Sequence, residues 1–153
     1  METPLYSEKQ AMRFRWPLAV LGVAIMLYGA METWPTEPLG ALVMILLAAG
    51  FVFVFCAFTV FTVVVTPTEL RFGFPIFRKR FQLAEVEIGE VERIGVLAGI
   101  GIHFWNRKWV YNGRFGQGVN IRHGRYRYLV GTGRPAELQN VLMQSVPRRA
   151  TQV

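Results

Sequence analysis

Two stretches of this chain, residues 16–31 and 38–68, contain no charged side chain. No other feature narrows the fold so far. The hydrophobic fraction is 52% over 153 residues, high for a soluble chain that also carries this much charge. Its uneven spread decides the class: there is room for a membrane hairpin and one small domain.

The first run starts at Trp16-Pro17-Leu18. Extended to Trp34, it makes a helix of about 19 residues and about 28 Å, against a hydrocarbon core of about 30 Å. Pro17 suits a first helical turn, where its missing N–H costs nothing. Trp16 and Trp34 fall where an aromatic belt would place them. A basic tail before an apolar run also describes a signal peptide. However, no small-x-small site precedes Glu32-Thr33-Trp34-Pro35, and a second apolar run follows at once, so an uncleaved helix is expected.

The second run opens at Leu39, after Pro38. Its first part is rich in Leu, Ala and Met, whereas Thr59-Val60-Phe61-Thr62-Val63-Val64-Val65-Thr66 is β-branched. The expectation is a helix over 39–61, about 34 Å long, passing directly into a strand. A soluble domain attached in this way would be held close to the bilayer. The short, turn-rich linker Thr33 to Pro38 makes the helices antiparallel neighbours, and Gly22 and Gly29 could let them approach closely.

The charges orient this hairpin. Lys9, Arg13 and Arg15 precede it, and Arg71, Arg78, Lys79 and Arg80 follow it. The linker holds Glu32 and Glu37 and no base. The positive-inside rule then puts both termini in the cytoplasm, as expected of a multi-pass membrane protein with an even number of spans. No charge falls at mid-span, which argues against an ion or proton path there. The lone Cys56 lies inside the second run and reads as a packing residue.

Residues 1–15 read as a cytoplasmic tail, 62–146 as a small β-rich α+β domain and 147–153 as a flexible tail. Leu70, Phe72 and Phe74 alternate with polar neighbours, as do Phe77, Lys79, Phe81 and Leu83, which gives a hairpin. Val86 and Ile88 continue the alternation to Gly89, a candidate bulge. Val91, Ile94 and Val96 resume it in shifted phase, and Ala98 to Phe104 leads into another strand. Turns follow at Asn106-Arg107, Asn112-Gly113 and His123-Gly124. The last strand, Tyr126 to Val130, ends at Gly131-Thr132-Gly133. Pro135 then opens a helix with Leu138, Val141 and Leu142 on one face, closing before Pro147. Six or seven antiparallel strands and a terminal helix are expected.

This order resembles bacterial pleckstrin-homology-like (PH-like) domains carried on membrane hairpins. The residues that carry the resemblance are Thr66-Pro67-Thr68-Glu69-Leu70 at the first strand and the aromatic, basic hairpin Phe74 to Phe81. The ending Tyr128-Leu129-Val130-Gly131-Thr132 before Pro135-Ala136-Glu137-Leu138 completes it. The resemblance covers residues 60–146. It implies a bent antiparallel sheet closed at one end by the C-terminal helix, and no single shared activity.

Catalytic chemistry has few candidates. There is no Asp, and there are only two His. His103 and His123 lack partners at metal-ligand spacing. Glu85, Glu87, Glu90 and Glu92 read as a solvated strand edge rather than an acid–base pair. Gly131-Thr132-Gly133 before a helix could hold an anion but lacks the rest of a nucleotide loop, so a turn and helix start is expected. No catalytic residue, metal or cofactor is assigned.

Basic and aromatic side chains remain. From Thr66 onward, fourteen Lys and Arg face six Glu. The candidate headgroup- or partner-binding residues are Arg78, Lys79, Arg80, Arg107, Lys108, Trp109, Arg125 and Arg127. Near anionic lipid each base contributes about 1 kcal/mol. Their plainer role is to enforce topology and solvate the domain. Tethering favours lipid over nucleic acid. The reading is a non-enzymatic membrane-anchored module that docks a protein partner or the anionic membrane surface. The alternatives are an accessory subunit of a larger membrane complex and an anionic-lipid sensor. The expected partners are the bilayer and other membrane subunits or further copies of the chain, and no nucleic acid.

Overall fold

The structure, a computed structural model, describes residues 3–11, 16–95 and 99–146. Arg13 and Arg15, the strand positions Val96 and Ala98, and the tail 147–153 lie outside the described residues. Two compact units emerge. One is Met12–Thr59; the other combines Met1–Ala11 with Val60–Val153.

The first unit is a pair of helices, α1 (Trp16–Thr33) and α2 (Pro38–Ala57). Both are long and apolar enough to cross a membrane. Their seam is made of small residues. Ala19, Ala30, Ala41 and Ala48 are buried. A side chain at Gly29 would come within 3.3 Å of the Met44 sulfur, and one at Gly22 would touch Phe51. The large residues point outward: Leu18, Leu39 and Phe53 are 63%, 75% and 64% exposed. Such faces are a liability in water and suit hydrocarbon. Thr33 returns its hydroxyl to the Gly29 carbonyl at 2.8 Å, which satisfies a backbone acceptor at the end of α1.

The second helix ends four residues earlier than its apolar run suggests. Strand β2 (Val60–Val65) already begins at Val60. The cause is a partner that local pattern does not reveal: strand β1 (Tyr6–Ala11) pairs antiparallel with β2 from Tyr6↔Val65 to Ala11↔Val60. The segment expected as a tail is therefore an edge strand. Its alternation supports this, with Tyr6 and Gln10 buried.

Strands β3 (Glu69–Gly73) and β4 (Arg78–Gln82) complete a four-stranded antiparallel sheet in the order β1-β2-β3-β4. After a turn of 3-10 helix at Leu83–Glu85 come β5 (Val86–Ile94), β6 (Gly101–Trp105), β7 (Lys108–Asn112), β8 (Gly116–His123) and β9 (Tyr126–Thr132). They form a second sheet in the order β5-β8-β9-β7-β6. Nine strands are thus described, against the six or seven expected. The register of β5 slips between Ile88 and Val91, so the bulge does fall at Gly89, where a side chain would meet the Asn120 Cβ at 2.9 Å.

One pairing departs from the all-antiparallel expectation. Strands β7 and β9 run parallel, with Trp109↔Tyr128 through Tyr111↔Val130. Asn112-Gly113 is therefore not a two-residue hairpin. Strand β9 lies between β7 and β8, and Asn112 is fully buried as a connector. Its amide donates to the Gly99 carbonyl at 2.9 Å and accepts from the Gly101 N–H at 3.2 Å.

The sheets share a core. Phe72 lies edge-on to Tyr111 at 5.2 Å and to Phe81 at 5.5 Å, and close to Tyr128. Helix α3 (Pro135–Ser145) packs on β5, β8 and β9 and buries Leu138 and Leu142. This four-residue spacing puts both on one helical face.

Candidate interaction surface

The second sheet gathers bases into a row. Trp105 pairs with Lys108, Arg122 with Arg127 and Glu87 with Arg122. Trp109↔Tyr128 sets β7 against β9, so Lys108 and Arg127, one residue earlier on each strand, are level. Period-two geometry puts Lys108, Arg127 and Arg122 on one face of three adjacent strands. Like charges opposed across strands are unfavourable unless compensated.

Compensation is incomplete. Lys108 pairs with Glu92, and both bond to Asn120, at 3.2 Å from the lysine and 3.0 Å from the carboxylate. The lysine and asparagine contacts hold the Glu92 carboxyl below the usual range. Arg122 lies 3.6 Å from Glu87. Among the described residues, Arg127 has no acidic partner. It lines an open groove of about 330 Å³ with Lys108, Asn120, Arg122, Glu87 and Glu90.

The same end of this sheet carries exposed aromatics. Asn106 and Arg107 take positive φ values of 49° and 61°, and the tight turn they make lets β6 double back as β7. Around it, Phe104 and Trp105 are 61% and 54% exposed. Trp109 meets the Phe104 ring edge-on at 5.5 Å. Arg125 lies exposed in the β8–β9 turn beside Tyr126, itself 60% exposed.

The eight sequence-predicted residues therefore separate. Arg107, Lys108, Trp109, Arg125 and Arg127 come together at one end of the five-stranded sheet. Lys108 is occupied by Glu92 and only 15% exposed, so it serves as a support rather than a free contact. Arg78, Lys79 and Arg80 lie on β4, an edge of the other sheet, all exposed.

Sequence reasoning missed a second polar cluster. The Glu8 carboxylate accepts from the hydroxyls of Tyr6 and Thr132, each at 2.5 Å, from the Gly133 N–H at 2.9 Å and from Gln10 at 3.0 Å. The anion held ahead of the terminal helix is thus the chain's own. Burial pushes the Glu8 carboxyl up, but the bonds from Thr132, Tyr6, Gly133 and Gln10 outweigh it and hold it below the usual value. Burial and the adjacent carboxylate push the Tyr6 phenol up to about 12. Arg134 stacks over the Tyr6 ring at 4.8 Å.

His103 is half-buried, its Nε2 has no partner among the described residues, and burial lowers its pKa. His123 reaches Glu85 at 3.0 Å and stacks on Phe81 at 4.3 Å. Among the described residues no three His, Cys, Asp or Glu side chains come together in a metal-binding group. The chain matches no family model, no curated protein and no solved structure.

Proposed function

We propose that this chain is a non-enzymatic, membrane-anchored interaction module: two spans carry a PH-like cytoplasmic domain that docks an anionic partner. The observation that carries this reading is the row Lys108–Arg127–Arg122, in which Arg127 has no acidic partner among the described residues. Trp105, exposed and paired with Lys108, and Arg107 in the adjoining turn are residue types that anchor protein interfaces. An acidic segment of a protein partner fits the row, and anionic lipid head groups offer the same charge.

Two crossings are supported by the β1–β2 ladder. Residues 6–11 and 60–65 share one sheet, so the chain before the first helix and the domain after the second lie on one side. The bases around them favour the cytoplasmic side of a bacterial inner membrane. The PH-like reading rests on a strand-rich domain closed by helix α3, although the parallel β7–β9 pair departs from an antiparallel sheet.

Native electrophoresis of a mild-detergent extract tests the docking. The wild-type chain should migrate with a partner, and Arg127→Glu should release it while remaining folded and in the membrane. Identical migration of both would overturn the reading. Topology is tested with impermeant thiol reagents on a Cys56→Ala background. Thr36→Cys should react from outside and Gln117→Cys should not.

A second reading, an accessory subunit of a larger membrane complex, is favoured by an apolar groove of about 320 Å³ between α1 and α2. Trp16, Val20, Leu27, Phe51 and Phe55 line it, and a neighbouring helix would fill it. Val20→Trp should then displace the chain from the complex while Arg127→Glu leaves it bound.

A further inference from the structure

We infer that the β3–β4 loop, Phe74-Pro75-Ile76-Phe77, is a third attachment to the bilayer, seated in its anionic interface. The inference rests on the reading of α1 and α2 as spans. It concerns a different surface from the Arg127 row.

The register carries the argument. The chain enters the four-stranded sheet from α2 at Val60 and leaves it for α1 at Ala11, and these two residues are paired. That end of the sheet is therefore the one tied to the hairpin. Thr62 pairs with Gly73, and Gly73 with Arg78. Strand β3 runs opposite to β2, so the loop after Gly73 continues past Thr62 toward the level of Val60. The Phe74 ring lies 5.2 Å from Phe61, in keeping with that placement. At about 3.3 Å per residue, the loop tip is within about 7 Å of the level at which the chain enters the sheet.

Helix α2 has 20 residues, about 30 Å, which matches the hydrocarbon core. The two residues between Ala57 and Val60 then fall in the headgroup layer, and the loop belongs to the end of the sheet that they tether. Its chemistry suits that layer. Ile76 and Phe77 are 56% and 47% exposed, although they occupy the tip of a turn where polar residues are usual. Arg78, Lys79 and Arg80 follow immediately, all exposed. None of the three forms an ion pair among the described residues. Apolar side chains for the acyl boundary, backed by bases for phosphates, make an interfacial anchor.

Gly73 holds the loop in shape. Its φ is +131°, and a side chain there would meet the Phe77 carbonyl oxygen at 2.2 Å. Only glycine accommodates both constraints.

The test uses the full chain, with Cys56→Ala, in nanodiscs of zwitterionic lipid with or without anionic phospholipid. An environment-sensitive fluorophore is attached at Ile76→Cys, at Gln117→Cys on the exposed start of β8, or at Leu46→Cys within α2. The Ile76 label should be blue-shifted and quenched by lipids spin-labelled near the head group, more strongly with anionic lipid. The Gln117 label should stay water-exposed. Changing Arg78, Lys79 and Arg80 together to Gln should abolish the dependence on anionic lipid. A water-exposed Ile76 label beside a quenched Leu46 label overturns the inference and leaves the spans intact. Failure at Leu46 overturns the spanning reading itself, and the inference with it. An Ile76 label exposed in nanodiscs but shielded in native membranes would assign the loop to a protein partner and also overturn it.

Discussion

Glu8 and Thr132, 124 positions apart, are joined by a hydrogen bond of 2.5 Å from the threonine hydroxyl to the carboxylate. The bond links the strand that precedes the helical hairpin to the last strand before the terminal helix. It makes the N-terminal segment a structural part of the β-domain.

Removing this carboxylate should unlatch the N-terminal strand. Glu8→Ala leaves four donors, on Tyr6, Thr132, Gly133 and Gln10, without their acceptor. Hydrogen bonds to a charged group contribute about 1.5–3 kcal/mol, and a loss near 2 is expected. In a domain of this size that lowers the unfolding midpoint by about 10 °C. Thermal unfolding of the detergent-solubilised chain measures it, and an unchanged midpoint would show that β1 does not need Glu8.

The same cluster sets a pH dependence at both extremes. The Glu8 pKa is lowered in the folded state. Its contribution is therefore present above the unfolded carboxyl value near 4.3 and lost as pH falls through the folded value. The Tyr6 phenol is raised to about 12. Its contribution is complete below about 10 and lost as pH rises through 12. Stability profiles of wild type and Glu8→Gln should differ most above pH 5 and converge in acid. Parallel profiles would contradict this assignment.

Gly131→Ala should be strongly destabilising. A side chain at this position would lie 2.6 Å from the Asn112 Cβ and 3.0 Å from its Cα. Because Asn112 is locked by its bonds to Gly99 and Gly101, it cannot retreat. A loss of about 1–3 kcal/mol is expected from overpacking. Chemical denaturation should register it, whereas Gly95→Ala, where a side chain meets nothing within 4 Å, should change little.

Two bases of the interaction surface should separate by assay. Lys108→Ala removes the partner of Glu92 from a half-buried network and should reduce stability by about 1 kcal/mol. Arg125→Ala, at an exposed turn, should fall within about 0.5 kcal/mol of wild type but weaken docking. Equal effects on stability would erase the distinction between support and contact.

Much of this molecule is legible locally. The charge-free runs specify two apolar helices, the Asn106-Arg107 turn falls where its dipeptide suggests, the β8–β9 turn falls one residue beyond His123-Gly124 at Gly124-Arg125, and Gly89 marks the bulge. Pro135 with Leu138 and Leu142 announces the terminal helix. The candidate surface was legible by residue type, since bases and aromatics stand out along the chain. Which of those bases is free was not, because Glu92 takes up Lys108 only when β5, β8 and β7 lie in one sheet.

The sequence by itself determined the elements, because periodicity, turn chemistry and apolar length act over a few neighbouring residues. Only the tertiary structure decided that residues 6–11 are a strand, that β9 inserts between β7 and β8, and that the anion ahead of α3 is Glu8. Each of these depends on a partner far away along the chain. A six-residue edge strand bearing Lys9 and Glu8 has no pattern strong enough to distinguish it from a tail until β2 offers it a ladder.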